Sequence, residues 1–183
     1  MVPRRTLRDE NLLHRCTYVF VLNAAGELYV HRRTDTKDVY PGFYDVGAGG
    51  VNAAGESYGQ CARRELEEEL GVAAEPTFRF LHRYEGPSGR VWGGAFDVVW
   101  DGPIVWQPSE VAWGAFVTFD EVDAMIARES FCPDGLEVFR RWRQRFSRTD
   151  AGLPSGRDVS SGAATHEQSE PASDSTARDQ QQT

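Results

Sequence analysis

The sequence predicts an α/β (α+β) sandwich built on a mixed β-sheet. Two observations predict it. Stretches of β-branched and aromatic residues alternate with stretches of helical periodicity, and every aromatic residue lies before Ser147. The folded domain is therefore expected at residues 1–146. Residues 147–183 hold only Leu153 and Val159 as large aliphatics. Such a segment cannot bury enough apolar surface to offset its ordering entropy and is expected to be a disordered polar tail.

The elements follow in order. Thr17-Tyr18-Val19-Phe20-Val21-Leu22 reads as a strand, Asn23-Ala24-Ala25-Gly26 as a turn, and Leu28-Tyr29-Val30-His31 as the returning strand. Residues 57–70 are good helix formers, and Gly71 suits the left-handed position that ends a helix. Further strands are expected at 78–84, 91–100 and 111–117. Gly93-Gly94 inside the second of these signals a bulge or a close approach by ligand or backbone. Trp92, Trp100, Trp106 and Trp113, in or near strands, are expected in core and rim packing, with stacking on a substrate ring as the alternative. Thr118-Phe119-Asp120-Glu121 has capping-box spacing and starts a helix ending near Ala127. A last helix is expected over 134–146.

Composition excludes several classes. The chain of 183 residues is 40% hydrophobic and 26% charged, the balance of a soluble globular domain. No apolar run approaches the roughly 20 residues of a membrane-spanning helix. The basic N-terminus is not followed by a signal-peptide core, so a cytoplasmic protein with no membrane partner is expected. Cys16, Cys61 and Cys132 form neither a CxxC site nor a disulfide framework and are expected as buried free thiols. The net charge of -8 argues against binding a nucleic-acid polymer. It leaves room for a small phosphorylated substrate, because a metal can supply the positive charge.

The chemistry concentrates on the helix over 57–70. At ~100° per residue, Gly59, Ala62, Leu66 and Leu70 share one arc, and Glu65, Glu68 and Glu69 fall on its flank. Arg64 lies one turn before Glu68 and can brace it. Three neighbouring carboxylates disfavour one another's ionisation, and a hard divalent cation such as Mg²⁺ removes the conflict. Gly47-Ala48-Gly49-Gly50, just before, is expected to turn tightly and bring carbonyls near that cation. A metal held there would neutralise phosphate oxygens and lower the pKa of a water for attack on phosphorus.

Gly50, Glu56, Arg64-Glu65-Leu66, Glu68-Glu69 and Gly71-Val72, at their spacing, resemble the Nudix box at every defined position. The resemblance implies an α/β/α sandwich and a hydrolase of phosphorus-containing acid anhydrides. Water attacks a diphosphate that links a nucleoside to another group, a small-molecule substrate. It implies Glu65, Glu68 and Glu69 as ligands of Mg²⁺ (or Mn²⁺), joined by the carbonyl of Gly49. Glu56 would orient the box or bind a further metal, and Arg64 would brace it. Glu110, in the loop before Val111, stands where many of these enzymes keep a metal ligand or general base; Glu69 is the other candidate base. Homodimers are common in the family.

Residues 14–41 also resemble isopentenyl-diphosphate isomerase, a Nudix relative. That likeness implies Arg33 and Lys37 as diphosphate contacts. With Thr36-Lys37-Asp38 and Phe131-Cys132-Pro133-Asp134-Gly135, the chain is similar to the YfcD-like hydrolases. His14 matches a metal-binding histidine of the isomerase, but Leu7 and Val51 replace its partners, so a structural, hydrogen-bonding role is expected. The isomerase's catalytic cysteine is replaced by Gly49. Glycine and valine cannot move protons at carbon, which favours hydrolysis over isomerisation. A ligand-sensing domain without turnover is the remaining alternative, and the intact glutamates speak against it.

Overall fold

The computed structural model describes residues 4–86 and 89–146. The expected tail at 147–183 lies outside the described residues. The elements are α1 (Arg4–Asp9), β1 (Leu13–Leu22), β2 (Leu28–Arg33), β3 (Tyr44–Asp45), α2 (Tyr58–Leu70), β4 (Thr77–Gly86), β5 (Gly89–Val99), β6 (Val111–Val117), α3 (Phe119–Ile126) and α4 (Pro133–Phe146). Sequence reading foresaw neither α1 nor β3. A strand of two residues has no periodicity to read, and α1 is a helix of six residues without an acidic first turn.

The sheet runs β3-β2-β1-β5-β4, with β6 on the other edge of β2. β1 and β5 are parallel, and the remaining pairs are antiparallel. Side chains alternate across the sheet. Val19 and Val21 of β1 face α2 and pack with Ala62, Leu66 and Leu70. Phe20 faces the other way, onto Val122 of α3 and Val138, Phe139 and Trp142 of α4. This is the α/β/α sandwich, and the period of two along β1 supplies both of its cores.

The helix ends obey local chemistry. Ser57 and Thr118 each cap a helix through a complete capping box. Gly71 ends α2 at φ 65°, a left-handed conformation that favours glycine.

One irregularity builds the site. β1 pairs with β2 at the hairpin root, Leu22 opposite Leu28. Farther back, the edge of β1 is taken by the segment before α2, with Val19 opposite Ala48 and Cys16 opposite Val51. A β-carbon at Gly47 would lie 2.6 Å from the Val19 carbonyl oxygen, and one at Gly49 would overlap the Thr17 carbonyl. The positive-φ glycines are Gly26, Gly42, Gly55 and Gly71, so Gly47, Gly49 and Gly50 make no left-handed turn. The expected tight turn is thus corrected: Gly47 and Gly49 are needed for lack of a side chain against β1, and Gly50 for lack of one against Glu65, not for backbone freedom.

One smaller expectation also changes, and the rim packing expected of four tryptophans is what the structure shows. β-carbons at Gly93 and Gly94 would meet the rings of Tyr18 and Tyr58, so side chains rather than a ligand or backbone make the close approach. Trp92, Trp106 and Trp113 are exposed at 41%, 36% and 42%, and Trp100 packs at the edge of the α2-side core. The tryptophan in the core is Trp142, whose indole N–H donates to Asp97 at 2.7 Å.

Candidate active site

A cleft of about 550 Å³ opens where β1 and β2 part. Glu65, Glu68 and Glu69 line it from α2, and Gly49 and Gly50 from the segment on β1. Arg33 and Lys37 enter from the end of β2 and the loop after it, and Glu110 from the loop before β6. Residues expected to act together from four separate stretches thus share one cavity.

Arg64 organises the acidic side. It donates to Glu56 at 2.9 and 3.1 Å, to Glu65 at 2.7 Å and to Glu68 at 3.1 Å. The guanidinium holds the Glu56 carboxyl at about 2, well below the usual carboxylate range. Glu56 also accepts the N–H of Ala53 at 2.7 Å and does not line the cleft. A β-carbon at Gly50 would overlap the Glu65 carboxylate, so glycine is the residue that leaves room for that group.

Glu69 has a different environment. Its Oε2 accepts the Gly49 N–H at 3.2 Å. Burial first, and then the negative charge of Glu65, push its carboxyl up to about 8. The donor set is therefore hard oxygen, crowded and short of positive charge, which fits Mg²⁺ or Mn²⁺. Among the described residues, no group of three or more His, Cys, Asp or Glu forms a ready cage. Arg64 draws Glu65 and Glu68 toward itself, and Mg²⁺ ordinarily takes few protein ligands beside substrate phosphate and water. The Gly50 carbonyl accepts from the Thr17 N–H at 2.9 Å, so it is committed to the sheet.

On the opposite rim, Lys37 forms an ion pair with Glu110. Arg33 donates to the Val39 carbonyl at 3.1 Å, and its buried Nε has no hydrogen-bond partner. The field of these cations is registered by His31, a buried imidazole lowered to about 3 by burial, then by Arg33 and Lys37. His14 lines the cleft with Leu7 and Val51, and its Nδ1 lies 2.9 Å from the Leu12 carbonyl oxygen.

Sequence reading missed the far wall. Tyr18, Tyr40, Asp45 and Tyr84 line the cleft together with Cys132 and Asp134. Tyr18 donates to Asp134 at 2.9 Å. Asp45 is pushed up to about 6 by burial, against the pull of Arg33. The available signal was the segment Phe131-Cys132-Pro133-Asp134-Gly135, which delivers the first turn of α4. Burial raises all three thiols, Cys16 to about 12 and Cys61 to about 11, so none is an activated nucleophile.

The NUDIX domain family matches residues 12–141. The uncharacterized Nudix hydrolase YfcD of Escherichia coli is 40% identical over 149 residues, covering 81% of this chain and 82% of that protein. The uncharacterized Nudix hydrolase PA4841 of Pseudomonas aeruginosa is 41% identical over 142 residues, covering 76% and 83%. Among solved structures, the MutT protein of Methanosarcina mazei superposes with a TM-score of 0.62 at 22% identity, covering 78% of this chain and 99% of that one. DR0079 of Deinococcus radiodurans gives 0.61 at 28% identity, covering 70% and 82%. The family match, the curated relatives and the glutamate helix set on its glycine segment agree: this chain belongs to the Nudix hydrolases, a family of enzymes that act on pyrophosphate bonds.

Proposed function

We propose that this protein is a Mg²⁺-dependent (or Mn²⁺-dependent) hydrolase of a small diphosphate, a nucleoside-diphosphate-linked or related compound. The observation that carries the reading is the meeting of Glu65, Glu68 and Glu69 with Lys37, Arg33 and Glu110 in one cleft. Glu65, Glu68 and Glu69 would hold the metal, with the Gly49 carbonyl as a further oxygen. Bound there, the metal would neutralise phosphate oxygens and acidify a water.

The chain's own residues do the rest. Arg64 fixes Glu65 and Glu68, and Glu56 fixes Arg64. Arg33 and Lys37, which line the cleft, bring positive charge to the diphosphate. Glu110 neutralises Lys37 until substrate arrives. Glu110, paired with Lys37, and Glu69, which faces the same cleft, are the two candidate proton acceptors. The three free thiols suit a reducing, cytoplasmic setting.

The isomerase reading is disfavoured by the backbone itself. Position 49 has no room for a cysteine side chain against Thr17. The test is phosphate release with Mg²⁺ across nucleotide sugars, dinucleotides, coenzyme A, nucleoside triphosphates and isoprenoid diphosphates. Release that needs Mg²⁺ and is lost in Glu69→Gln is the expected result. No release from any substrate would leave the sensing reading, and interconversion of isopentenyl and dimethylallyl diphosphate would establish the isomerase one. Sedimentation of the same preparation reads whether the chain forms the homodimer common in the family.

A further inference from the structure

The cleft has two walls from opposite faces of the sheet. Glu65, Glu68 and Glu69 belong to the α2 face. Cys16 and Tyr18 alternate to the other face of β1, where Tyr84, Val91 and Asp134 complete a wall without lysine or arginine. The diphosphate reading occupies the first wall and leaves the second unused.

That second wall is built rather than incidental. The segment at 130–132 is pinned beside β3, with the Tyr44 N–H on the Ser130 carbonyl at 2.8 Å and the Cys132 N–H on the Tyr44 carbonyl at 2.9 Å. This fixes the first turn of α4 at the cleft. A β-carbon at Gly135 would lie 2.6 Å from Asp45 Oδ1, so glycine there lets the helix close on β3. Asp134 receives the Tyr18 hydroxyl on Oδ2 at 2.9 Å, which orients the carboxylate and leaves Oδ1 to accept. Tyr84 is buried and hydrogen-bonded through its hydroxyl to Tyr40. Tyr40 holds a left-handed backbone at φ 53°, uncommon for a residue other than glycine and a mark of a constrained position.

We propose that the α4-side wall seats the organic group of the diphosphate, and that the Tyr18–Asp134 pair selects a group bearing hydroxyl or amino donors. The proposal rests on the hydrolase reading for what sits on the other wall. A hydrocarbon chain would bury the remaining Asp134 oxygen without a hydrogen-bond donor. A second anionic group would meet the Asp134 carboxylate, whose hydrogen-bond partner is the neutral Tyr18 hydroxyl, while Asp45 already lies in the field of Arg33. A neutral or cationic, donor-bearing group satisfies both constraints. A site built to hydrogen-bond such a group rejects the analogue that lacks it more strongly than an apolar pocket rejects a polar one.

The test uses the full chain with Mg²⁺ and two probes, ADP-glucose and dimethylallyl diphosphate. The wild type is expected to favour ADP-glucose in kcat/KM by on the order of 100-fold. Asp134→Asn and Tyr18→Phe are each expected to shrink that ratio about 10-fold, through KM for ADP-glucose. Asparagine matches aspartate in size and shape, and Tyr18→Phe carries the test if the first variant melts early. Preference for dimethylallyl diphosphate, or an unchanged ratio in both variants, overturns the proposal. If neither probe is turned over, calorimetric titration with ADP-glucose separates the two readings. Binding weakened by Asp134→Asn retains the subsite while the hydrolase reading fails. No binding, or equal binding by the variant, removes the subsite.

Discussion

Lys37 and Glu110 form an ion pair across the cleft, tying the loop after β2 to the loop before β6. Each is a candidate for work on the diphosphate, and the structure has them occupied with each other. Gln107, three residues before Glu110, donates its N–H to the Glu69 carbonyl at 2.9 Å, so the same loop is fastened to the end of α2. The pairing turns two separate expectations into one coupled device.

If Glu110 chiefly neutralises Lys37, Glu110→Gln changes KM and its salt dependence and lowers kcat by less than about 10-fold. Lys37→Met raises KM. The double variant should differ from the sum of the single effects, which a double-mutant cycle on kcat/KM reads directly. Strict additivity would show that the pair is incidental.

Glu69→Gln should cost at least ~100-fold in turnover while leaving the melting temperature near the wild-type value. A linked pH effect follows. Burial and Glu65 raise the Glu69 carboxyl from 4.5 to about 8 in the metal-free protein. The folded state then holds a proton that the unfolded chain releases. Stability from this group is complete below about 4.5 and falls as pH rises toward 8. Mg²⁺ should therefore raise the melting temperature more at pH 8 than at pH 6, a difference absent in Glu69→Gln.

Glu56 has the opposite sign. Its carboxyl is lowered from 4.5 to about 2, first by its hydrogen bonds to Arg64. Its contribution is present above about 4.5 and is lost as pH falls toward 2. Arg64 is about a third exposed, so screening trims the effect to on the order of 1–2 kcal/mol. Glu56→Gln should flatten the acid limb of a stability–pH curve by about that amount and loosen metal binding through Arg64.

Two adjacent glycines should fail in different ways. At Gly49 an added β-carbon meets the Thr17 backbone, which cannot give. Gly49→Ala should destabilise the fold by about 3 kcal/mol in denaturant melts. At Gly50 the added carbon meets the end of the Glu65 side chain, which can move. Gly50→Ala should fold but bind Mg²⁺ more weakly. Similar stability losses in both would refute the distinction.

Much of this molecule is written locally. The alternation in β1 gave the two-faced sheet, the boxes at Ser57 and Thr118 fixed helix starts, and Gly71 fixed an end. The glutamates on the flank of α2 were legible as a cluster proposed to bind a metal, because three residues within one turn of another share a face whatever the rest of the chain does. Only the tertiary structure decided what those glutamates confront. Lys37 and Glu110 are 73 residues apart, and Tyr18 and Asp134 are 116 apart. No local period encodes such meetings; they follow from where β1 leaves β2 and where α4 docks. The role of Gly47 and Gly49 was also tertiary, since the strand they press against is remote in sequence. The bond to be cut is legible along α2, whereas what is attached to it is decided by side chains that meet only after the sheet has formed.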